Sequence, residues 1–159
     1  MRPDIRPMTG EDRAAIVTIL RALPEFTPDE VAIAEEVIDV YLQKSFSSGY
    51  HIFVSEVGSS VIGYVCYGPT PLTVGTWDMY WLAIDMKSQG QGMGRALMAF
   101  AEARIRENQG RLIIIETSGK PEYEKTRRFH HSQGYTIASR IADFYAPGDD
   151  KLILEKRLV

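Results

Sequence analysis

Apolar residues recur at helical spacing in the first part of the chain. Ile16, Leu20 and Leu23 lie three or four residues apart and predict a first helix that runs to about Leu23. Pro24 ends this pattern, because proline lacks the backbone N–H that a helix interior needs. Residues 27–30, Thr-Pro-Asp-Glu, then combine an N-cap, a proline at the first helical position and a capping-box glutamate. The chain therefore predicts two successive amphipathic helices.

Runs of β-branched and aromatic residues flank these helices. The run that begins after Tyr50 is divided by residues 57–60, Val-Gly-Ser-Ser, which are typical of a hairpin turn. The predicted strands are Ile5 to Met8, His51 to Glu56, Val61 to Tyr67 and Thr76 to Ile84. We therefore expect a meander of strands after the two helices.

A glycine-rich segment separates the last of these strands from a third helix. Residues 89–94, Gln-Gly-Gln-Gly-Met-Gly, lead into a helix whose apolar face begins at Met93 and which ends near Gly110. The next strand, Leu112 to Ile115, is almost continuously apolar and ends at Glu116, as expected of a buried parallel strand. The pattern predicts a strand, a loop, a helix and a parallel strand.

The C-terminal part predicts one more helix and a pair of strands. The helix covers about Glu122 to Ser132, and the strands cover Tyr135 to Phe144 and Leu152 to Leu158. Residues 146–150, Ala-Pro-Gly-Asp-Asp, predict the loop between the strands. The whole chain, residues 1–159, is then one α/β domain.

Composition narrows the class of protein. The 159 residues are 45% hydrophobic and 25% charged, which suits a single sizeable core. The net charge of -3 lacks the basic excess of a non-specific nucleic-acid binder, so we expect no nucleic-acid partner.

Cys66 is the only cysteine, which excludes an intramolecular disulfide and indicates a reducing compartment. Because no apolar signal core or membrane span is present, we expect a cytoplasmic protein without a membrane partner.

The glycine-rich segment suits a phosphate group. Successive backbone N–H groups and the positive end of a helix dipole would converge on one point there. Two common phosphate loops do not fit, because Arg95 stands at the third glycine of the dinucleotide motif G-x-G-x-x-G, and no Lys-Ser or Lys-Thr follows Gly94 as a P-loop requires. Neither a dinucleotide site nor a P-loop is expected.

Two motifs resemble the GNAT superfamily of acetyl-CoA-dependent N-acyltransferases. Gln89-x-x-Gly92-x-Gly94 is similar to the family's pyrophosphate-binding motif, R/Q-x-x-G-x-G/A. Residues 123–135, Tyr-x-x-Thr-x-x-Phe-His-x-x-x-Gly-Tyr, resemble its later motif, N-x-x-A-x-x-F-Y-x-x-x-G-F, at the same spacing. The order of elements also matches, so the resemblance covers nearly the whole chain. It implies an α/β GNAT fold, with a mixed central sheet flanked by about four helices.

The resemblance implies acetyl-CoA as the cosubstrate and no metal. The strand before the loop would pair its backbone with the pantetheine arm, an amide near Ala83 would polarise the thioester carbonyl, and the loop would wrap the pyrophosphate. The coenzyme-binding residues that the resemblance implies are Leu82, Ala83, Ile84, Gln89, Gly90, Gln91, Gly92, Met93, Gly94, Arg95, Tyr123 and Phe129.

The resemblance also implies that an amine attacks the thioester directly. Amines are mostly protonated near pH 7, so a base must first remove a proton. Glu116, at the end of the buried strand, matches the position where the family often carries that base. Asp78, on the preceding strand, is the second candidate.

The acid that protonates the departing thiolate is a separate question. His130 occupies the position of the family's tyrosine, and Tyr145 is the alternative acid. A histidine with a pKa near 6.5 is largely neutral above pH 7 unless a carboxylate such as Glu116 raises that pKa. The missing tyrosine also supports a rival hypothesis, a non-catalytic module that binds or senses acyl-CoA.

The sequence leaves the acceptor open. The primary amine of a small molecule and the N-terminal amine of a protein fit equally, and a homodimer also remains open. Asp143, Asp149 and Asp150 near the last turn favour a cationic substrate, although acidic turn residues are more often solvated.

Overall fold

A computed structural model describes residues 2–158 as a seven-stranded sheet with helices packed on both faces. None of the helices in this part of the chain is both long enough and apolar enough to cross a membrane. The elements, in chain order, are β1 (Asp4–Pro7), α1 (Arg13–Ala22), α2 (Pro28–Lys44), β2 (His51–Val57), β3 (Ser60–Pro69), β4 (Thr76–Ile84), α3 (Met93–Glu107), β5 (Leu112–Ser118), α4 (Glu124–Ser132), β6 (Thr136–Ala146) and β7 (Asp149–Arg157).

The sheet is mixed, as the sequence predicts. Its strand order is β1-β2-β3-β4-β5-β7-β6. The β4–β5 pair is parallel and is joined through α3, whereas the other neighbouring pairs are antiparallel. The predicted crossover and the four predicted helices are therefore confirmed.

Alternation along β2 and β3 sends side chains to two separate cores. Val54, Tyr64 and Cys66 pack with α1 and α2 on one face of the sheet. Phe53 and Val65 point the other way and pack with α3. Burial raises the pKa of the Cys66 thiol, so this cysteine is an inert member of the core.

The capping signals place the start of α2 correctly. The helix begins at Pro28, and the Thr27 hydroxyl accepts a hydrogen bond from the Glu30 amide at 3.2 Å. The Thr27 amide in turn donates to Glu30 Oε1 at 3.2 Å, which completes the predicted capping box.

Several predicted strand boundaries are wrong by one to three residues, and those of β5 and β7 border the site. β5 continues past Glu116 to Ser118, because Thr117 and Ser118 still pair with β7. β7 begins at Asp149, which pairs with Ala146 across a turn only two residues long. In both places the neighbouring strand extends the ladder into polar residues that carry no periodic signal of their own.

The two parallel strands part after a short stretch of pairing. β4 and β5 pair only at Thr76 with Leu112, Trp77 with Ile113 and Asp78 with Ile114. Beyond these positions β4 stays paired with β3, and β5 stays paired with β7. The sheet therefore opens between the C-terminal halves of its two central strands.

A buried carboxylate ties the last helix and the last strand to α3. Glu102 accepts hydrogen bonds from the Tyr135 hydroxyl and from Lys156 Nζ, both at 2.8 Å. Lys156 Nζ also donates to the carbonyl of Gln133 at 2.7 Å, just after α4. The side chain of Glu102 is only 7% exposed, so both of its oxygens rely on these partners.

We expect Glu102→Ala to lower the free energy of unfolding by about 3 kcal/mol, because it leaves a half-buried ammonium and a buried phenol without their acceptor. The matched control is Glu124→Ala, which removes an exposed ion pair with Arg128 and should cost less than about 1 kcal/mol. Urea unfolding of both variants measures the difference. Equal losses would show that the Glu102 network does not anchor the fold.

Candidate active site

Two adjoining cavities lie beside the C-terminal half of β4, and the second of them occupies the opening between β4 and β5. The first has a volume of about 470 Å³ and the second a volume of about 860 Å³. Leu82, Thr126 and His130 line both of them, so the two cavities meet where β4 faces α4.

The first cavity contains the predicted coenzyme residues, except Gln91 and Tyr123. It is bounded by the end of β4, by the glycine-rich loop and by one face of α4. The predicted residues that line it are Leu82, Ala83, Ile84, Gln89, Gly90, Gly92, Met93, Gly94, Arg95 and Phe129. Gln91 instead turns its amide back onto the carbonyl of Lys87 at 3.2 Å.

The glycines of the loop have distinct structural roles. Gly90 and Gly92 have φ angles of +75° and +83°, in the left-handed region that favours glycine. Gly92 also precedes α3, and a Cβ placed there would meet no atom within 4 Å. At Gly94 a Cβ would lie 3.4 Å from the ring of Phe129, so this glycine allows α3 and α4 to approach closely.

The start of α3 forms an anion site that opens on this cavity. The first backbone hydrogen bond into the helix runs from the Ala96 amide to the carbonyl of Gly92, so the amides before Ala96 lack partners within the helix. These amides and the helix dipole attract negative charge. A pyrophosphate fits this arrangement.

Lys125 is a cavity residue that sequence analysis missed. Its Nζ donates to Gln89 Oε1 at 2.7 Å, while Gln89 Nε2 donates to the carbonyl of Ile84 at 3.0 Å. The Gln89 side chain thus fastens the loop to β4 and α4. The available signal was helical spacing, because Lys125 lies four residues before Phe129 and so shares its face of α4.

Both candidate bases line the second cavity. The side chain of Glu116 is 54% exposed, and its Oε1 lies 3.0 Å from Lys151 Nζ. Asp78 lies at the last β4–β5 pair and accepts a hydrogen bond from the Thr70 hydroxyl at 2.6 Å.

Tyr123 lines the second cavity and not the first, which contains most of the other predicted coenzyme residues. Its hydroxyl donates a hydrogen bond to Glu30 Oε2 on α2, and its ring packs edge-on against Phe26. The two oxygens of Glu30 therefore cap their own helix and bind Tyr123. Together these contacts tie the start of α2 to the turn before α4.

His130 has the position but not the charge that an imidazolium acid requires. The residue is 5% exposed, and its Nδ1 is buried without a hydrogen-bond partner among the described residues. Burial lowers the pKa of His130 to about 4, and no carboxylate in residues 2–158 counteracts it, so the condition that a carboxylate raises this pKa is not met. About one ring in a thousand is protonated at pH 7.

Tyr145, the alternative acid, lines the second cavity and is 49% exposed. Burial raises the pKa of its phenol, and the negative charges of Glu116, Asp149 and Glu30 raise that pKa further. Tyr145 therefore stays protonated at neutral pH.

A family model described as Acetyltransferase (GNAT) domain matches residues 48–137. This segment contains the meander, the glycine-rich loop, both central strands and α4. The chain belongs to the GNAT family of acetyltransferases. The resemblance that the two motifs carry is therefore confirmed.

Solved structures agree with this membership. A protein of Desulfovibrio desulfuricans assigned to the GNAT family of acetyltransferases is 35% identical, with a TM-score of 0.94 over 99% of both chains. A ribosomal-protein-alanine N-acetyltransferase from Brucella melitensis is 21% identical, with a TM-score of 0.78 over 98% of this chain and 99% of that chain. The PaiA N-acetyltransferase of Thermoplasma acidophilum, solved with coenzyme A, is 13% identical, with a TM-score of 0.76 over 99% of both chains. The last two show a shared fold. A search of curated proteins found no match.

We expect Gly92→Val to abolish most of the increase in melting temperature that acetyl-CoA causes, because a β-branched side chain disfavours the left-handed φ of +83° and projects into the cavity. The matched control is Gly58→Val in the β2–β3 turn, where φ is +64° and the space is equally open. Both variants lose stability from strain, but only Gly58→Val should keep the coenzyme shift. If acetyl-CoA raised the melting temperature of Gly92→Val as much as that of wild type, the loop would not be part of the coenzyme site.

The depressed pKa of His130 predicts acid sensitivity. The unfolded chain binds a proton at this histidine below a pKa of about 6.5, whereas the folded chain resists protonation down to about 4. His130 should therefore cost the folded state about 2–3 kcal/mol as the pH falls through this window. In urea unfolding at several pH values, His130→Phe should lose less stability between pH 6.5 and 4 than wild type. The exposed neighbour variant, His131→Phe, should follow wild type. Parallel curves for wild type and His130→Phe would contradict the burial argument.

Proposed function

We propose that this acetyltransferase moves the acetyl group from acetyl-CoA to a primary amine at the junction of the two cavities. The observation that carries the proposal is that an anion-binding cavity and a carboxylate-lined cavity meet at Leu82, Thr126 and His130. The first cavity suits the coenzyme and the second suits the amine. The chemistry of transfer requires that both reactants reach one point.

Each part of the coenzyme has a matching part of the first cavity. The free amides at the start of α3, with Arg95 and Lys125 nearby, suit the pyrophosphate. The edge of β4 from Leu82 to Ile84, with which β5 does not pair, suits the pantetheine arm, which can add to it as a strand would. The acetyl thioester then lies at the junction.

The reaction needs a neutral amine. Glu116 takes a proton from the amine through a water molecule, and the freed lone pair forms the C–N bond at the thioester carbonyl. The tetrahedral intermediate collapses as the C–S bond breaks, and the extra proton of the attacking nitrogen passes to the departing thiolate, which leaves as CoA thiol. Because a free thiol has a pKa of about 8.5, this leaving group needs only modest help.

His130 is the side chain best placed to give that help. Its ring is neutral at pH 7, so we assign it the donation of a hydrogen bond to the departing sulfur rather than transfer of an imidazolium proton. Tyr145, which stays protonated, is the second candidate. On this assignment the rate shows no alkaline decline from titration of His130.

The neutral ring of His130 also gives some support to a non-catalytic acyl-CoA module. The two functions differ in one readout. An acetyltransferase releases CoA thiol when an amine is added, whereas a sensing module binds acetyl-CoA and leaves the thioester intact.

We expect Glu116→Gln to lower the rate of amine-dependent CoA release by roughly 10² to 10⁴, as loss of a general base does, while acetyl-CoA affinity persists. Asp78→Asn tests the second candidate base in the same assay. The matched control is Glu155→Gln, a carboxylate on β7 outside both cavities, which should turn over like wild type.

If Glu116→Gln keeps full turnover while Asp78→Asn loses it, the base is Asp78. If no amine releases CoA from the wild-type protein that binds acetyl-CoA, the non-catalytic module is the correct function.

A further inference from the structure

Negative charge is concentrated in the second cavity. The carboxylates that line it are Asp29, Glu30, Asp78, Glu116 and Asp149. Among the described residues, Lys120 is the only lysine or arginine in that lining, and the His130 ring there is neutral at pH 7. The whole chain has 18 basic and 21 acidic residues, so this imbalance belongs to the cavity and not to the composition.

Most of these carboxylates have neutral partners. Asp78 accepts from the Thr70 hydroxyl, Asp149 from the Ser118 hydroxyl and Glu30 from the Tyr123 phenol. Within residues 2–158, Glu116 is the cavity carboxylate that makes an ion pair, through Lys151. The hydroxyl groups thus orient these carboxylates without neutralising their negative charge. A bound cation would supply the positive charge that balances it.

Aromatic rings form the rest of the wall. Phe26 packs edge-on against Trp81, with ring centres 5.7 Å apart, and against Tyr123 at 6.4 Å. Tyr145 and Tyr80 also line the cavity. Such rings bind methylene groups and attract cations to their faces.

Two further observations favour a ligand in this cavity. His130 is 95% buried, yet its Nδ1 lacks a partner in the described structure. Tyr145 also lines this cavity together with Glu30, Glu116 and Asp149, so carboxylates from α2, β5 and β7 face the same space as its phenol.

We infer that the acceptor carries a second positive charge, which binds between Glu30 and Asp149 beside Tyr145 while the reacting amine lies at Glu116. The substrate class is an alkyl diamine or polyamine, whose methylene chain packs on the aromatic wall. This inference rests on the proposed function and adds the identity of the acceptor.

The test compares n-butylamine with 1,4-diaminobutane, which differ in the second ammonium. Amine-dependent CoA release gives kcat/KM for each amine, and calorimetry gives the affinity of each amine for the CoA-saturated protein. We expect wild type to prefer the diamine roughly ten-fold, well beyond the statistical advantage of two equivalent amines. Because the preference is electrostatic, it should fall as sodium chloride is raised.

Asp149→Asn keeps an acceptor oxygen for Ser118 and removes the charge. It should lower the diamine preference roughly three- to five-fold, the size of one partly exposed ion pair. The matched control is Glu36→Gln, an exposed carboxylate of α2 outside the cavity, which should keep the wild-type preference.

The outcomes separate the two proposals. Equal kcat/KM and equal affinity for both amines in wild type would overturn the second-cation site, and so would a preference that Asp149→Asn leaves unchanged. Asp149-dependent binding of the diamine without CoA release would support the cation site and overturn the acetyl-transfer function. A protein that releases CoA with a peptide N-terminus and does not bind the diamine would also overturn the inference.

Discussion

The site depends on the parting of two parallel strands. β4 and β5 pair over three positions and then follow different neighbours, β3 on one side and β7 on the other. A buried sheet normally satisfies its backbone groups in strand ladders, so such a gap leaves a polar edge that a ligand can complete. The loop after β4 and the helix that it starts border the first cavity, which meets the second at Leu82, Thr126 and His130. The proposed function places coenzyme and acceptor at this junction.

Charge is divided between the two cavities in a way that suits two reactants of opposite sign. The first cavity has the start of α3, Arg95 and Lys125, which favour an anion. The second has unneutralised carboxylates held by hydroxyl groups, which favour a cation. Such fields also guide each reactant toward its own entrance. The Glu30–Tyr123 hydrogen bond connects the first turn of α2 to the turn before α4 in the wall of the second cavity.

Much of the fold could be predicted from the sequence because its signals are local. The capping box at Thr27 and the apolar run of β5 each reflect interactions within a few residues. The shape of the glycine-rich loop was predictable for the same reason, since Gly90 and Gly92 adopt left-handed backbone angles. The end of β5 was not, because Thr117 and Ser118 join the strand only through pairing with β7.

The side chains around the acceptor could be predicted only in part. Glu116 and Asp78 follow from strand positions, and the structure brings both into one cavity. The direction of Tyr123 depends on Glu30, 93 residues away along the chain, and no local pattern reports that contact. The neutrality of His130 likewise depends on tertiary burial, which a motif alignment does not contain.

Hydrogen exchange with and without acetyl-CoA tests the central claim most directly. The account predicts slower exchange at the amides of residues 82–84, at the end of β4, and of residues 93–95, at the start of α3, because both segments line the first cavity. It predicts unchanged exchange in the β2–β3 turn at residues 57–60. Unchanged exchange at residues 82–84 and 93–95, at a saturating concentration of acetyl-CoA, would contradict the placement of the coenzyme in the first cavity.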